Sequence, residues 1–167
     1  MSDLYFFNSQ QTKYVRFSKE AYEHIVSYSQ YRCFSKEAGG ELFSTFIEDE
    51  NIYIELASGP HNKDKRKRAS FNQNAKAATD VRKSMFSIGM YPVGMWHTHP
   101  EQHPNPSTLD RSTTIKYLKS LGDTISQYAM VICGNAQLSP TIIVEVVQKT
   151  NCSNYQWQSF KLDVRAE

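Results

Sequence analysis

The pattern of apolar and polar positions divides the chain into short strands and amphipathic helices. Near the N-terminus, "LYFFN" and "KYVRFS" read as two short strands or an edge hairpin. Ser18 then suits the N-cap of a helix running to about Tyr31, with Tyr22, Ile25 and Val26 on one face. "KEAGG" breaks that helix. "ELFSTFI" and "NIYIELA", joined by the polar "EDEN", follow as a hairpin, with period-two alternation at Ile52, Ile54 and Leu56. Gly59-Pro60 ends the hairpin, and "HNKDKRKRAS" reads as a charged loop.

Helical spacing returns between Asn72 and Ser87 through Ala75, Ala78, Val81, Arg82 and Met85, until Gly89 stops it. Pro92 opens the strand "VGMWHTH", and Ser107 begins a helix that Gly122 closes. "YAMVICG", "TIIVEVVQ" and "YQWQSFKLDV" read as three further strands. Strands alternating with helices in this way imply an α/β fold, a mixed central sheet flanked by helices, in one domain over 1–167.

Composition narrows the class. The 167 residues suit one core, and 40% hydrophobic with 13% aromatic content describes a folded chain rather than a disordered one. The net charge of +2 says little about partners. No run approaches the ~18 apolar residues of a membrane span, and no basic-then-apolar leader opens the sequence. No membrane partner is therefore expected. Cys33, Cys133 and Cys152 are odd in number and scattered, which argues against a disulfide framework and a cysteine-built zinc site. A reducing cytoplasm is the expected compartment.

The candidate chemistry is concentrated in "GMWHTHPEQHPNPSTLD", residues 94–110. Side chains two apart on a strand share a face, so His97 and His99 can converge on one ion. Pro100 stops the strand, and Pro104 and Pro106 stiffen the loop to the next helix. Ser107 suits that helix's N-cap, and Asp110 falls in its first turn, where its carboxylate can serve as a third ligand. Two imidazoles and a carboxylate suit zinc and leave its fourth position open, as in catalytic sites. "STLD" is also a plain capping box, and a lone His-x-His a weak signal; the combination is sharper.

An ion-activated water needs a base, and Glu37 in "SKEAGGELF" is the candidate, beside glycines that permit close backbone approach. Glu41 is its rival, but lies inside the expected strand. His103 reads as a loop residue or substrate contact, His24 and His61 as surface groups, and Trp96 and Met95 as core. The run "KDKRKR", Lys63 to Arg68, reads by default as a solvated loop. It lacks the interleaved aromatics of a nucleic-acid platform, and a grip on acidic surface of a protein substrate is the intermediate option.

With these residues in place the chain resembles the JAB/JAMM (MPN-type) metallopeptidases. Their signature is a distant Glu followed by His-x-His-x7-Ser-x-x-Asp, matched here by Glu37 and "HTHPEQHPNPSTLD". It is most similar to the small bacterial members of CBASS-type anti-phage operons, through "ASGPHNKDKRKRASF". The resemblance implies a cytidine-deaminase-like fold and a zinc isopeptidase, similar to deubiquitinases, that cuts after a protein's C-terminal residue. It implies one zinc ion per chain on His97, His99 and Asp110, Glu37 as general acid/base, and Ser107 as hydrogen-bond donor to the oxyanion. The implied partner presents an extended C-terminal tail: a CD-NTase, a nucleotidyltransferase of these systems, with the conjugates an E1–E2-like enzyme makes of it.

Other readings stay open on the sequence. RadC-like proteins share the spacing but read "HNHPSG" where this chain has "HTHPEQ". A phage-tail or small-peptide metallopeptidase is a further variant. A non-catalytic MPN scaffold usually lacks a ligand, and here none is missing. Zinc deamination lacks its H-x-E…P-C-x-x-C pattern.

Overall fold

A computed structural model describes residues 3–47, 50–150 and 154–162. β1 (Leu4–Asn8) and β2 (Tyr14–Phe17) pair as an antiparallel hairpin that lies inside the main sheet rather than at its edge. The helix α1 (Lys19–Ser27) follows, then β3 (Gly39–Ser44), β4 (Ile52–Ile54), β5 (Leu56–Ala57), β6 (Lys65–Lys67) and β7 (Ser70–Asn72). α2 (Ala75–Ser87), β8 (Tyr91–Thr98), α3 (Thr108–Ser120), β9 (Gln127–Cys133), β10 (Ile142–Lys149) and β11 (Tyr155–Leu162) complete the order. The expected continuation of the last strand to Val164, the linker residues Glu48 and Asp49, and Cys152 lie outside the described residues.

Caps explain where the helices begin. Ser18 Oγ accepts the Ala21 N–H at 3.0 Å and donates to the Glu55 carbonyl at 2.8 Å, so one side chain caps α1 and ties it to the sheet. Asn74 Oδ1 accepts the Ala77 N–H at 3.0 Å at the start of α2. α1 ends at Ser27, earlier than the pattern implies, because Tyr28 caps it and the next residues turn inward: Ser29 Oγ donates to the Gly134 carbonyl at 2.7 Å. Gly89, the expected stop of α2, takes φ +77°, a left-handed conformation that a side chain disfavours.

The main sheet is mixed, with nine strands in the order β4-β2-β1-β11-β10-β9-β8-β3-β5. Its two edge strands are neighbours in sequence, separated by Glu55 alone. β4 pairs in parallel with β2, whereas β5 pairs antiparallel with β3. The expected hairpin is thus corrected: the continuous alternation through Leu56 conceals a switch of partner. The burial phase switches with it, from Ile52 and Ile54 to Ala57. The sheet accordingly bends until its edges meet, where Glu55 N–H donates to the Phe43 carbonyl at 3.0 Å, and no long edge is left on that side.

One side of the sheet packs α1 through Ala21 and Ile25 against Phe6, Phe17, Ile54, Trp96 and Val131. On the other, Leu118 of α3 meets Ile125, Tyr128 and Val147. Alternation along β9 sends Ala129, Val131 and Cys133 to the first cluster and Tyr128 to the second. Each fully buried large side chain contributes about 1.5–3 kcal/mol. In β8 the same alternation sends Trp96 to the α1 side and Met95 to the α3 side, and His97 shares the parity of Met95.

The basic stretch is not the expected solvated loop. β6 and β7 pair as a two-stranded ribbon, with Lys65 opposite Asn72 and Lys67 opposite Ser70. Among the described residues no helix is long and apolar enough to cross a membrane.

Candidate metal centre and its acid

β8 runs parallel to β9 and antiparallel to β3, which holds its C-terminal end between two strands. Thr98 N–H donates to the Ala38 carbonyl at 2.8 Å and His99 N–H to the Cys133 carbonyl at 2.9 Å, so the backbone on either side of the strand end is fixed. α3 approaches this end with its N-terminus. There Ser107 Oγ accepts the Asp110 N–H at 3.1 Å, and the Ser107 N–H donates to Asp110 Oδ2 at 2.7 Å, a complete capping box. Arg111, the next residue, donates to both Glu145 oxygens of β10 at 3.0 and 2.8 Å, which pins the first turn of the helix to the sheet.

The result brings His97, His99 and Asp110 together. His97 Nε2 lies 3.0 Å from His99 Nε2 and 3.2 Å from Asp110 Oδ1, and His99 Nε2 lies 3.8 Å from Asp110 Oδ2. Donors on a tetrahedral zinc with bonds of about 2.0–2.1 Å stand about 3.3 Å apart. The spacing and the borderline donor set therefore fit that ion. Burial alone disfavours the charged Asp110 carboxylate, but hydrogen bonds with His97 and Ser107 outweigh it and hold the carboxyl below its usual range. Burial, followed by the neighbouring His97, lowers the pKa of His99, which favours the neutral ring a metal needs.

Glu37, His97, His99, Ser107 and Asp110 all line one cleft of about 650 Å³. The Glu37 carboxyl is pushed up to about 7, chiefly by burial, against a lowering by His97 and with further raising by Asp110 and Glu101. That poises it to exchange a proton near neutrality. Its backbone is held on both sides by the ribbon: Glu37 N–H donates to the Lys67 carbonyl at 2.8 Å, and Arg66 Nε donates to the Glu37 carbonyl at 2.6 Å. The glycines after it permit close approach as expected. A Cβ on Gly40 would sit 1.9 Å from the Ser58 carbonyl oxygen.

The rival acid is excluded by its partner. Glu41 is 1% exposed and receives Arg82 Nε at 2.7 and 2.9 Å, with a further bond from Nη2, and it does not line the cleft. His103 is exposed, lies 3.3 Å from Thr141 Oγ1 through its Nδ1 and does not line the cleft. His24 is no surface group: its Nε2 is 2.6 Å from the Gly59 carbonyl and its ring packs edge-on to Trp96. His61 also departs from expectation, with its Nε2 buried.

Ser107 does more than cap. Its hydroxyl donates to Asp110 Oδ2 at 2.6 Å, so the serine also orients a candidate ligand. Sequence reasoning missed Arg66, Gln30 and Glu101 at this site. Arg66 lay inside the basic run, where nothing local separates an inward arginine from outward lysines, and Gln30 carries no motif.

Known proteins resemble this chain in sequence and in fold. Residues 18–153 match the family described as prokaryotic homologs of the JAB domain. A curated protein of Pseudomonas aeruginosa named CD-NTase/cGAS isopeptidase is 33% identical over 127 residues, covering 73% of this chain and 78% of that protein. The solution structure of protein DSY2949 from Desulfitobacterium hafniense matches with a TM-score of 0.59 at 18% identity, over 84% of this chain and 87% of that one, a likeness of fold. The chain belongs to the prokaryotic JAB-domain family.

Proposed function

We propose that the chain, as one domain over 1–167, is a zinc-dependent isopeptidase that cleaves the bond following the C-terminal residue of a conjugated or extended protein. The substrate would be a CD-NTase and its conjugates in a CBASS-type defence system of the bacterial cytoplasm. The name of the Pseudomonas aeruginosa relative supports the substrate class. The observation that carries the reaction class is the convergence of His97, His99 and Asp110, whose ligand atoms all lie within 4.8 Å, in the cleft that Glu37 lines.

A zinc ion held by these three residues would lower the pKa of water and polarise the scissile carbonyl. Glu37, poised near neutrality, takes the attacking water's proton and delivers it to the leaving amine. Ser107 serves the reaction by turning its single hydroxyl proton from Asp110 Oδ2 toward the developing oxyanion, a rotation about one bond. Lys65 and Lys67 are exposed and lie two apart on β6, on the face opposite Arg66, free to meet acidic groups on a protein partner.

The test is cleavage of a linear fusion in which a CD-NTase C-terminus precedes a reporter protein. Zinc-loaded wild type is expected to cut at the junction, and Glu37→Gln to bind zinc without cutting. An uncut fusion with wild type, or full cleavage by Glu37→Gln, contradicts the reading.

A further inference from the structure

We propose that Gln30 is a positioning residue that fixes Glu37 relative to the strand end carrying His97 and His99. The inference rests on the reading of Glu37 as the general base. Gln30 is 1% exposed, an unusual site for a long polar side chain, whose burial is costly unless its amide is bonded.

Three bonds satisfy it, and each reaches a different part of the site. Gln30 Oε1 accepts from Thr98 Oγ1 at 3.0 Å, and Thr98 lies between the two histidines. Gln30 Nε2 donates to the Ser35 carbonyl at 3.2 Å, two residues before Glu37. The same nitrogen donates to the Arg68 carbonyl at 2.8 Å, next to Lys67, whose carbonyl accepts the Glu37 N–H. Thr98 closes the circuit, because its Oγ1 accepts the Ala38 N–H at 3.0 Å.

The amide orientation follows from its neighbours. Two backbone carbonyls can only accept, so Nε2 must face them. Thr98 Oγ1 already accepts from Ala38, so its hydrogen is free for Gln30 Oε1. One buried side chain thus joins the metal strand, the loop bearing the acid, and the ribbon that clasps this loop. No apolar residue of the same size can do so: it would leave the Ser35 and Arg68 carbonyls without this donor. Exact placement of the acid matters because displacement of a reacting group by about 1 Å can cost about 10²-fold in rate.

The experiment uses the full chain loaded with zinc, as wild type, Gln30→Met, Thr98→Val, Thr98→Ser and Glu37→Gln. Bound zinc, amide exchange and cleavage of the CD-NTase tail fusion are measured on each. Gln30→Met and Thr98→Val are expected to keep their zinc, to lose about tenfold in amide protection at Glu37 and Ala38, and to lose about 10²-fold in kcat with little change in KM. Thr98→Ser, which retains the hydroxyl, is expected to restore protection and kcat to within about twofold. Thr98→Val decides the matter if Gln30→Met does not fold. Unchanged protection at Glu37 and Ala38, or zinc lost in step with kcat, overturns the inference. Full cleavage by Glu37→Gln overturns the general-base reading instead, and the exchange result still decides whether Gln30 holds the loop.

Discussion

Ser107 and Asp110 bond to each other in both directions: the serine hydroxyl donates to the carboxylate at 2.6 Å and accepts the aspartate N–H at 3.1 Å. Ser107→Ala removes a helix cap and a support of the Asp110 carboxylate, the candidate third ligand, together. The unfolding free energy is expected to fall by about 1 kcal/mol. If the hydroxyl also serves the oxyanion, kcat falls by about 10²-fold or more. Urea denaturation of the metal-free protein and kcat of the zinc-loaded protein separate the two effects.

The raised Glu37 pKa makes stability depend on pH with a definite sign. The folded state holds the Glu37 proton up to about 7, whereas the unfolded chain releases it near 4.5. Between those values the folded state binds more protons, so the contribution of this residue falls as pH rises. Below pH 4.5 it is fully present, and it is lost through pH 7. Across this window the urea midpoint of the metal-free wild type should fall relative to that of metal-free Glu37→Gln. A wild-type profile that rises through the window at the same rate as the variant's contradicts the assignment.

The buried Glu41 pairs with a partly exposed Arg82, whose guanidinium lies 5.2 Å from the Tyr117 ring centre. Removing Arg82 leaves the buried Glu41 carboxylate without its partner, at a cost of up to about 3 kcal/mol, the low end for a broken buried pair because the arginine is partly solvated. Arg82→Ala is expected to lose about this much stability while its folded fraction still binds zinc and cleaves. Loss of zinc binding from fully folded Arg82→Ala contradicts a purely structural pair.

Lys67 holds the Glu37 N–H through its backbone carbonyl, and the exposed side chains of Lys65 and Lys67 lie on the face of β6 opposite Arg66, so their reversal should spare the fold. The double variant Lys65→Glu, Lys67→Glu is expected to keep its stability within about 0.5 kcal/mol. Its kcat/KM on the tail fusion should fall and lose most of its salt dependence. Equal salt dependence in variant and wild type contradicts a docking role for the ribbon.

The convergence of the three candidate ligands was legible because their geometry is local. Two residues apart across a strand end, with His97 inside β8 and His99 just past it, and three residues into a capped helix are spacings written in the sequence itself. The caps at Ser18 and Ser107 and the three closing strands were legible for the same reason. What stayed hidden depends on partners far along the chain. The alternation at Ile52, Ile54 and Leu56 cannot reveal that β4 and β5 pair with opposite edges of the sheet. The charges of Lys63 to Arg68 concealed a two-stranded ribbon that pairs with itself and with the backbone of Glu37. Gln30 gathers Thr98, Ser35 and Arg68 from separations of 68, 5 and 38 residues, which no motif spans.

The central claim is that two imidazoles and one carboxylate hold a single ion. The most direct measurement is zinc titration of the metal-free protein, comparing wild type with Asp110→Ala. The account predicts one tightly bound zinc ion per wild-type chain and binding weakened beyond detection at the same site in the variant. Wild type that takes up no zinc, or a variant that binds it equally well, contradicts the account.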